Sequence, residues 1–163
     1  MTDANIHLLE QCHDLLRRIG DRLYSQAPCG MAKSPPGGHV RHCLDFYQCF
    51  LKGLATGRID YDARVRNELI ERDRWLAMAQ IRTTIEDLRR MPITDERIAV
   101  QVKMEGESAW TYSCIGRELQ FLLSHTVHHF AQIAMLLRLG GFEPAADFGV
   151  ASSTLRHWER KAA

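Results

Sequence analysis

Residues 113–141 read SCIGRELQFLLSHTVHHFAQIAMLLRLGG, and this stretch decides the fold. Leu122, Ile133 and Leu136 recur at helical spacing and end at a glycine pair, which predicts one long helix from about Ser113 to Leu139. Three histidines, His125, His128 and His129, stand inside it. Positions four apart lie one above the other on a helix face, about 6 Å apart, so His125 and His129 can reach one point in space. Their row continues through Leu122 and Gln132/Ile133 to Leu136, the seam expected to face other helices. His128, three residues after His125, is the weaker alternative and fits the rim.

Working outward, three more amphipathic segments precede this helix. The first runs from about Asn5 to Gln26, with Ile6, Leu9, His13, Leu16, Ile19/Gly20 and Leu23 on one face. The Pro- and Gly-rich APCGMAKSPPGG that follows reads as a loop. A second helix is expected from about Gly38 to Leu54, with Val40, Cys43, Phe46, Tyr47, Phe50, Leu51 and Leu54 as its apolar residues. ATGRIDYDA breaks the pattern with turn residues. A long third helix then spans about Arg64 to Arg90, with Leu69, Leu76, Ile81, Ile85 and Leu88 inward, and Pro92 stops it.

Between the third helix and the last, RIAVQVKMEGESAWTYS changes period. Ile98, Val100, Val102 and Met104 alternate with polar residues, a Glu-Gly turn follows, and Trp110 and Tyr112 alternate again, which reads as a β-hairpin. Trp110 and Tyr112 are expected to pack it onto the helices. The tail FEPAADFGVASSTLRHWERKAA offers at most a short helical turn after Ser152. The expected fold is all-α: a four-helix bundle with a crossover connection and a small β-hairpin inserted between helices three and four.

Composition sets outer limits. A chain of 163 residues with 45% hydrophobic and 25% charged content is the size of one globular domain. A net charge of +1, with arginines scattered, argues against a bulk nucleic-acid binder. No apolar run approaches the roughly 18–20 residues that span a bilayer, and MTDANIHLLEQCHDLL has no signal-peptide pattern. Cys12, Cys29, Cys43, Cys49 and Cys114 are odd in number without CxxC spacing, so reduced thiols and a cytoplasmic location are expected. Cys43, Cys49 and Cys114 read as core residues.

The second helix supplies a partner for the histidine pair. In GGHVRHCLDFYQCF, His42 stands beside Cys43, Phe46 and Phe50 on an apolar face, and His39 lies one turn earlier near the helix start. One reading makes His42, His125 and His129 core histidines, each satisfied by its own backbone or carboxylate partner. That needs three separate solutions, because an unmet buried imidazole costs more than the roughly 1 kcal/mol a hydrogen bond returns. The other reading is one divalent metal that satisfies all three, with metal–nitrogen bonds of about 2.0–2.1 Å. Three imidazoles without a carboxylate favour Zn²⁺, Ni²⁺ or Fe²⁺ over Mg²⁺ and Ca²⁺. Three protein ligands also leave a position open for water or substrate.

Other polar residues compete for roles. Asp45 could orient His42 or sit as a surface helix charge. Tyr61 and Arg64 belong to a loop that could cover one end of the helices, although ordinary surface placement is the better expectation. Glu118, seven residues before His125, could share its face or pair with a neighbouring arginine.

With these residues in view, the chain resembles the DinB/YfiT-like superfamily of metal-dependent four-helix-bundle proteins. The resemblance rests on the histidine of GGHVRHCLDFY, the hairpin-like insertion, and HTVHH followed by AQI, and covers about residues 4–140, leaving 141–163 as a tail packing on the bundle. It implies that His42, His125 and His129 bind a divalent cation, with His39 competing for the first place. It also implies a thiol-dependent transferase or isomerase acting on a small molecule, a low-molecular-weight thiol as co-substrate, and a homodimer. A similar domain occurs in the sulfoxide synthases of thiohistidine biosynthesis. A metal-dependent hydrolase and a non-catalytic metal-binding or stress-response protein remain alternatives.

Overall fold

The computed structural model describes residues 1–27, 34–91, 95–103, 106 and 109–162. Pro92, Met104, Glu105 and residues 28–33 of the first Pro/Gly-rich loop, Cys29 among them, lie outside the described residues. The chain is mainly helical: α1 (Thr2–Arg18), α2 (Asp21–Ser25), α3 (Pro36–Leu54), α4 (Glu68–Arg72), α5 (Arg74–Arg90), α6 (Ile115–Leu139) and α7 (Ser152–Ala162). Among the described residues three short strands, β1 (Arg58–Asp60), β2 (Ala99–Lys103) and β3 (Thr111–Cys114), form one sheet. Among the described residues no helix is long and apolar enough to cross a membrane.

The four long helices pack in pairs, α3 against α5 and α6, and α1 against the same two. Their inward faces make one apolar cluster that includes Leu9, Leu16, Phe50, Ile81, Leu119, Phe130 and Ile133. Asn5 sits in it as a polar tie. Its Nδ2 donates to the Leu119 carbonyl at 3.0 Å, and its Oδ1 accepts from the Tyr47 hydroxyl at 2.8 Å. One amide thereby joins α1, α3 and α6.

Two expected helices are each broken in two. The first stops at Arg18 because Ile19 and Gly20 are extended. The Leu16 carbonyl, which a continuing helix would pair with the Gly20 N–H, accepts instead from the buried Arg74 guanidinium at 2.6 Å. Arg74 also donates to Asp21 at 2.8 Å, so one side chain fastens both sides of the break. The third expected helix starts late. Asp73 accepts from the N–H groups of Trp75 and Leu76, capping α5, while Asn67 caps α4 by accepting from Leu69. Leu69 therefore rides on a separate short helix and is 65% exposed, and Leu76 is also exposed rather than inward.

The sheet holds a strand that the sequence pattern hides inside ATGRIDYDA. β1 pairs parallel with β2, Ile59 opposite Val102, and β2 pairs antiparallel with β3, Val100 opposite Ser113. The β2–β3 pair is the expected hairpin; β1 is too short to show a period of two. Gly53 admits it, since a Cβ there would stand 2.6 Å from the Arg58 carbonyl oxygen and 2.7 Å from the Ile59 Cα. Val100 and Val102 are buried, but Ile98 is half-exposed at the strand's entry. Tyr112 is 84% exposed and does not pack inward, whereas Trp110 is covered by the Arg58 guanidinium 4.6 Å from its ring.

α6 ends where expected, with Gly140 donating to the Leu136 carbonyl and Gly141 at φ +82°. The tail is more ordered than one turn, since α7 has 11 residues. Phe148 anchors it by stacking on Phe130 of α6, ring centroids 4.8 Å apart.

Candidate metal centre

Two helices supply four imidazoles to one place. α3 opens with Pro36 in its first turn, a position where the missing N–H costs nothing. His39 and His42 follow on successive turns of α3, and His125 and His129 on successive turns of α6. Because α3 and α6 lie side by side, the two pairs face each other. Ring centroids are 4.5 Å apart for His42 and His129, 4.6 Å for His125 and His129, and 5.0 Å for His42 and His125. One nitrogen of each of these three rings lies within 4.8 Å of the others, close enough for the group to hold a metal ion.

The donor set suits a borderline cation. A tetrahedral centre with bonds of about 2.0–2.1 Å needs nitrogens about 3.4 Å apart, which small side-chain rotations reach from this spacing. All three rings are half-buried, so the place is neither sealed nor washed by bulk water. Burial, reinforced by repulsion from His125, His42, His39 and His128, pushes the His129 imidazole down to about 3. Burial also lowers His39, with His128 adding to it. At neutral pH His129 is thus an uncharged imidazole with a lone pair to offer.

His39 and His128 part company. His39 reaches the cluster edge, its Nδ1 3.0 Å from the Nδ1 of His129. His128 is exposed, and its Nε2 meets the Gln132 side-chain nitrogen at 2.7 Å. It belongs to the rim, as its spacing suggests.

An aromatic wall closes one side of the three imidazoles. Phe46, one turn after His42, has its ring centroid 4.9 Å from His42 and 4.4 Å from His125. Phe121, one turn before His125, stands 5.5 Å from it. The ring of Tyr61 stacks on Phe46 at 5.2 Å and meets Phe121 at 5.4 Å. The Arg64 guanidinium lies over Phe46, 4.7 Å from its centroid. Tyr61 is fully buried and Arg64 half-buried, so neither takes the surface placement expected of them. The chain turns inward after β1 because the Tyr61 N–H continues the pairing to the Lys103 carbonyl at 3.0 Å.

Glu118 is buried behind this wall, and among the described residues its side-chain hydrogen bonds come from two hydroxyls. It accepts from the Tyr61 hydroxyl at 3.0 Å and from Ser113 Oγ at 2.5 Å. Asp45 is buried too, and accepts from Arg41, whose guanidinium also donates to Glu71. Cys43 and Cys49 are buried free thiols and Cys114 is half-buried. Burial raises Cys43 far above the usual thiol range, so it is an inert core group. Helical spacing from His42 and His125 was the signal that could have marked Phe46 and Phe121 as wall residues. Tyr61 stood in a loop that could cover one end of the helices, but no local pattern marked it as buried.

No family model matches the chain. It is similar to FK506-binding protein 5 of Rhizopus delemar, with 31% identity over 109 residues, covering 63% of this chain. The match spans only 28% of that longer relative.

Proposed function

We propose that the protein is a divalent-metal-binding member of the DinB/YfiT-like four-helix-bundle class. On this reading His42, His125 and His129 hold Zn²⁺, Ni²⁺ or Fe²⁺, and the protein acts as a metal-dependent enzyme on a small molecule with a thiol as co-substrate. The convergence of one imidazole from α3 with an i, i+4 pair from α6, nitrogens within 4.8 Å, carries the reading. The pairwise packing of α1, α3, α5 and α6 supports the bundle, with the sheet segment as its long crossover between α5 and α6.

Such a cation, when bound, lowers the pKa of a coordinated water or thiol and so supplies a nucleophile at neutral pH. The chain's own residues do the rest. Three imidazole ligands leave room for an exogenous ligand, and Phe46, Phe121 and Tyr61 exclude water from one side. The aromatic wall favours an apolar or planar group on the substrate, and the depressed basicity of His129 keeps it in its metal-binding form. A homodimer is part of the proposal, with Met135 and Leu139, both exposed on α6, as apolar surface for it. The odd cysteine count without CxxC spacing supports a reducing compartment such as the cytoplasm.

The test is a panel of low-molecular-weight thiols with electrophilic acceptors, run on zinc-, nickel- and iron-loaded protein. Thiol consumption that stops on chelation and returns with metal is expected. Metal-loaded protein inert toward every thiol, but hydrolysing esters or amides, moves the reading to a hydrolase. Inertness to both leaves a metal-binding protein. The likeness to an FK506-binding protein gives a second reading, ligand binding without metal chemistry. A saturable thermal shift with FK506 in chelator-treated protein would favour it.

A further inference from the structure

We propose that His39 is a positioning residue for the metal centre: it accepts the Nδ1–H of His129 and so fixes the tautomer in which His129 presents Nε2 as donor. The inference rests on the metal reading above and adds a residue that the three-ligand set leaves without a role. The two Nδ1 atoms are 3.0 Å apart, a hydrogen-bond distance between two nitrogens. A hydrogen bond between two neutral imidazoles needs one N–H and one lone pair, and only two arrangements exist.

If His39 donates, the His129 Nδ1 lone pair is occupied and its proton sits on Nε2. Neither nitrogen of His129 is then available to a cation. If His129 donates, its Nε2 carries a free lone pair, and the donated N–H makes that lone pair more basic. Only the second arrangement lets His129 join His42 and His125 as a donor group. His39 is well placed for this. It lies in the first turn of α3, where Gly38 and His39 both donate their backbone N–H to the Pro35 carbonyl, at 3.0 and 3.4 Å. Its ring meets His129 tilted by 40°, with centroids 5.3 Å apart. The other neighbour, His128, is exposed and engaged with Gln132, so it does not compete for the same nitrogen.

The experiment uses the full chain loaded with zinc. Long-range ¹H–¹⁵N NMR reads the His129 tautomer in the unaltered protein, and competition with a chromogenic chelator reads zinc affinity in it and in His39→Ala and His39→Gln. The expected results are an Nδ1–H tautomer at His129 and a 10–100-fold weaker affinity in His39→Ala at unchanged stoichiometry. His39→Gln, whose amide oxygen can accept the same proton, should recover most of the loss. An Nε2–H tautomer at His129, or a His39→Ala affinity within about twofold of the parent, overturns the role of His39 while leaving the metal site standing. A parent protein that takes up no zinc, nickel or iron sinks the metal reading, and this inference with it. The tautomer measurement needs no variant, so a misfolded His39→Ala does not shelter the idea.

Discussion

The Tyr61 hydroxyl donates to the Glu118 carboxylate at 3.0 Å, and both side chains are buried. The bond ties the segment after β1 to the first turns of α6, and so fixes the aromatic wall against the histidines. Burial, with Glu118 beside it, raises the Tyr61 phenol far above its ordinary range, so it stays a donor at any working pH.

Tyr61→Phe removes that donor and leaves Glu118 with Ser113 in a buried place. The expected loss is about 1–3 kcal/mol in urea unfolding, the cost of an underserved buried acceptor. Unchanged stability would mean that water reaches the carboxylate and the wall is not closed there.

Asn5 makes a second buried tie, with bonds to Leu119, Tyr47 and the Met1 carbonyl. Asn5→Ala should lower stability by about 2–3 kcal/mol, measured by chemical denaturation, because several bonds go at one buried position. A loss below about 0.5 kcal/mol would show that α1 is held by apolar packing alone.

Acid should destabilise the metal-free protein through the histidine cluster. His129 is held down to about 3 in the folded chain and is near 6.5 when unfolded. The unfolded state therefore takes up the proton first as pH falls. Stability is complete above about 6.5 and declines as pH drops toward 3, with His39 acting in the same direction. Among the described residues, His39, His42, His125 and His128 face His129. Chelator-treated protein should unfold at lower urea at pH 5 than at pH 7.5, and His129→Gln should flatten the difference. An equal midpoint at the two pH values would contradict a His129 imidazole held neutral by its surroundings.

Gly53→Ala should unseat β1, since the new Cβ meets backbone rather than a yielding side chain. A cost of about 1–3 kcal/mol is expected. Amide exchange at Tyr61, which donates to Lys103 across the strands, should speed up before exchange in α6 does. Equal protection in the variant would show that β1 can shift without loss.

The long helices and the paired histidines were legible because their signal is local. His125 and His129 share a face by spacing alone, and His42 declared itself through Cys43 and Phe46 beside it. The breaks at Gly20 and Asp73 were not, since the apolar period runs across both and the deciding partners lie elsewhere. Arg74 takes the Leu16 carbonyl from 58 residues away in sequence. The same reason hid the inner wall, as Tyr61 and Glu118 are 57 residues apart, and the contact of His39 with His129, 90 apart. β1 escaped because three residues cannot display a period.

The central claim is a cation held by His42, His125 and His129. The most direct measurement is metal content by mass spectrometry after loading and exhaustive desalting, for the parent chain and for His125→Ala/His129→Ala, with circular dichroism confirming equal helicity. The account predicts about one zinc, nickel or iron per parent chain and no more than traces in the variant. A parent chain that retains none, or a folded variant that retains as much as the parent, contradicts it.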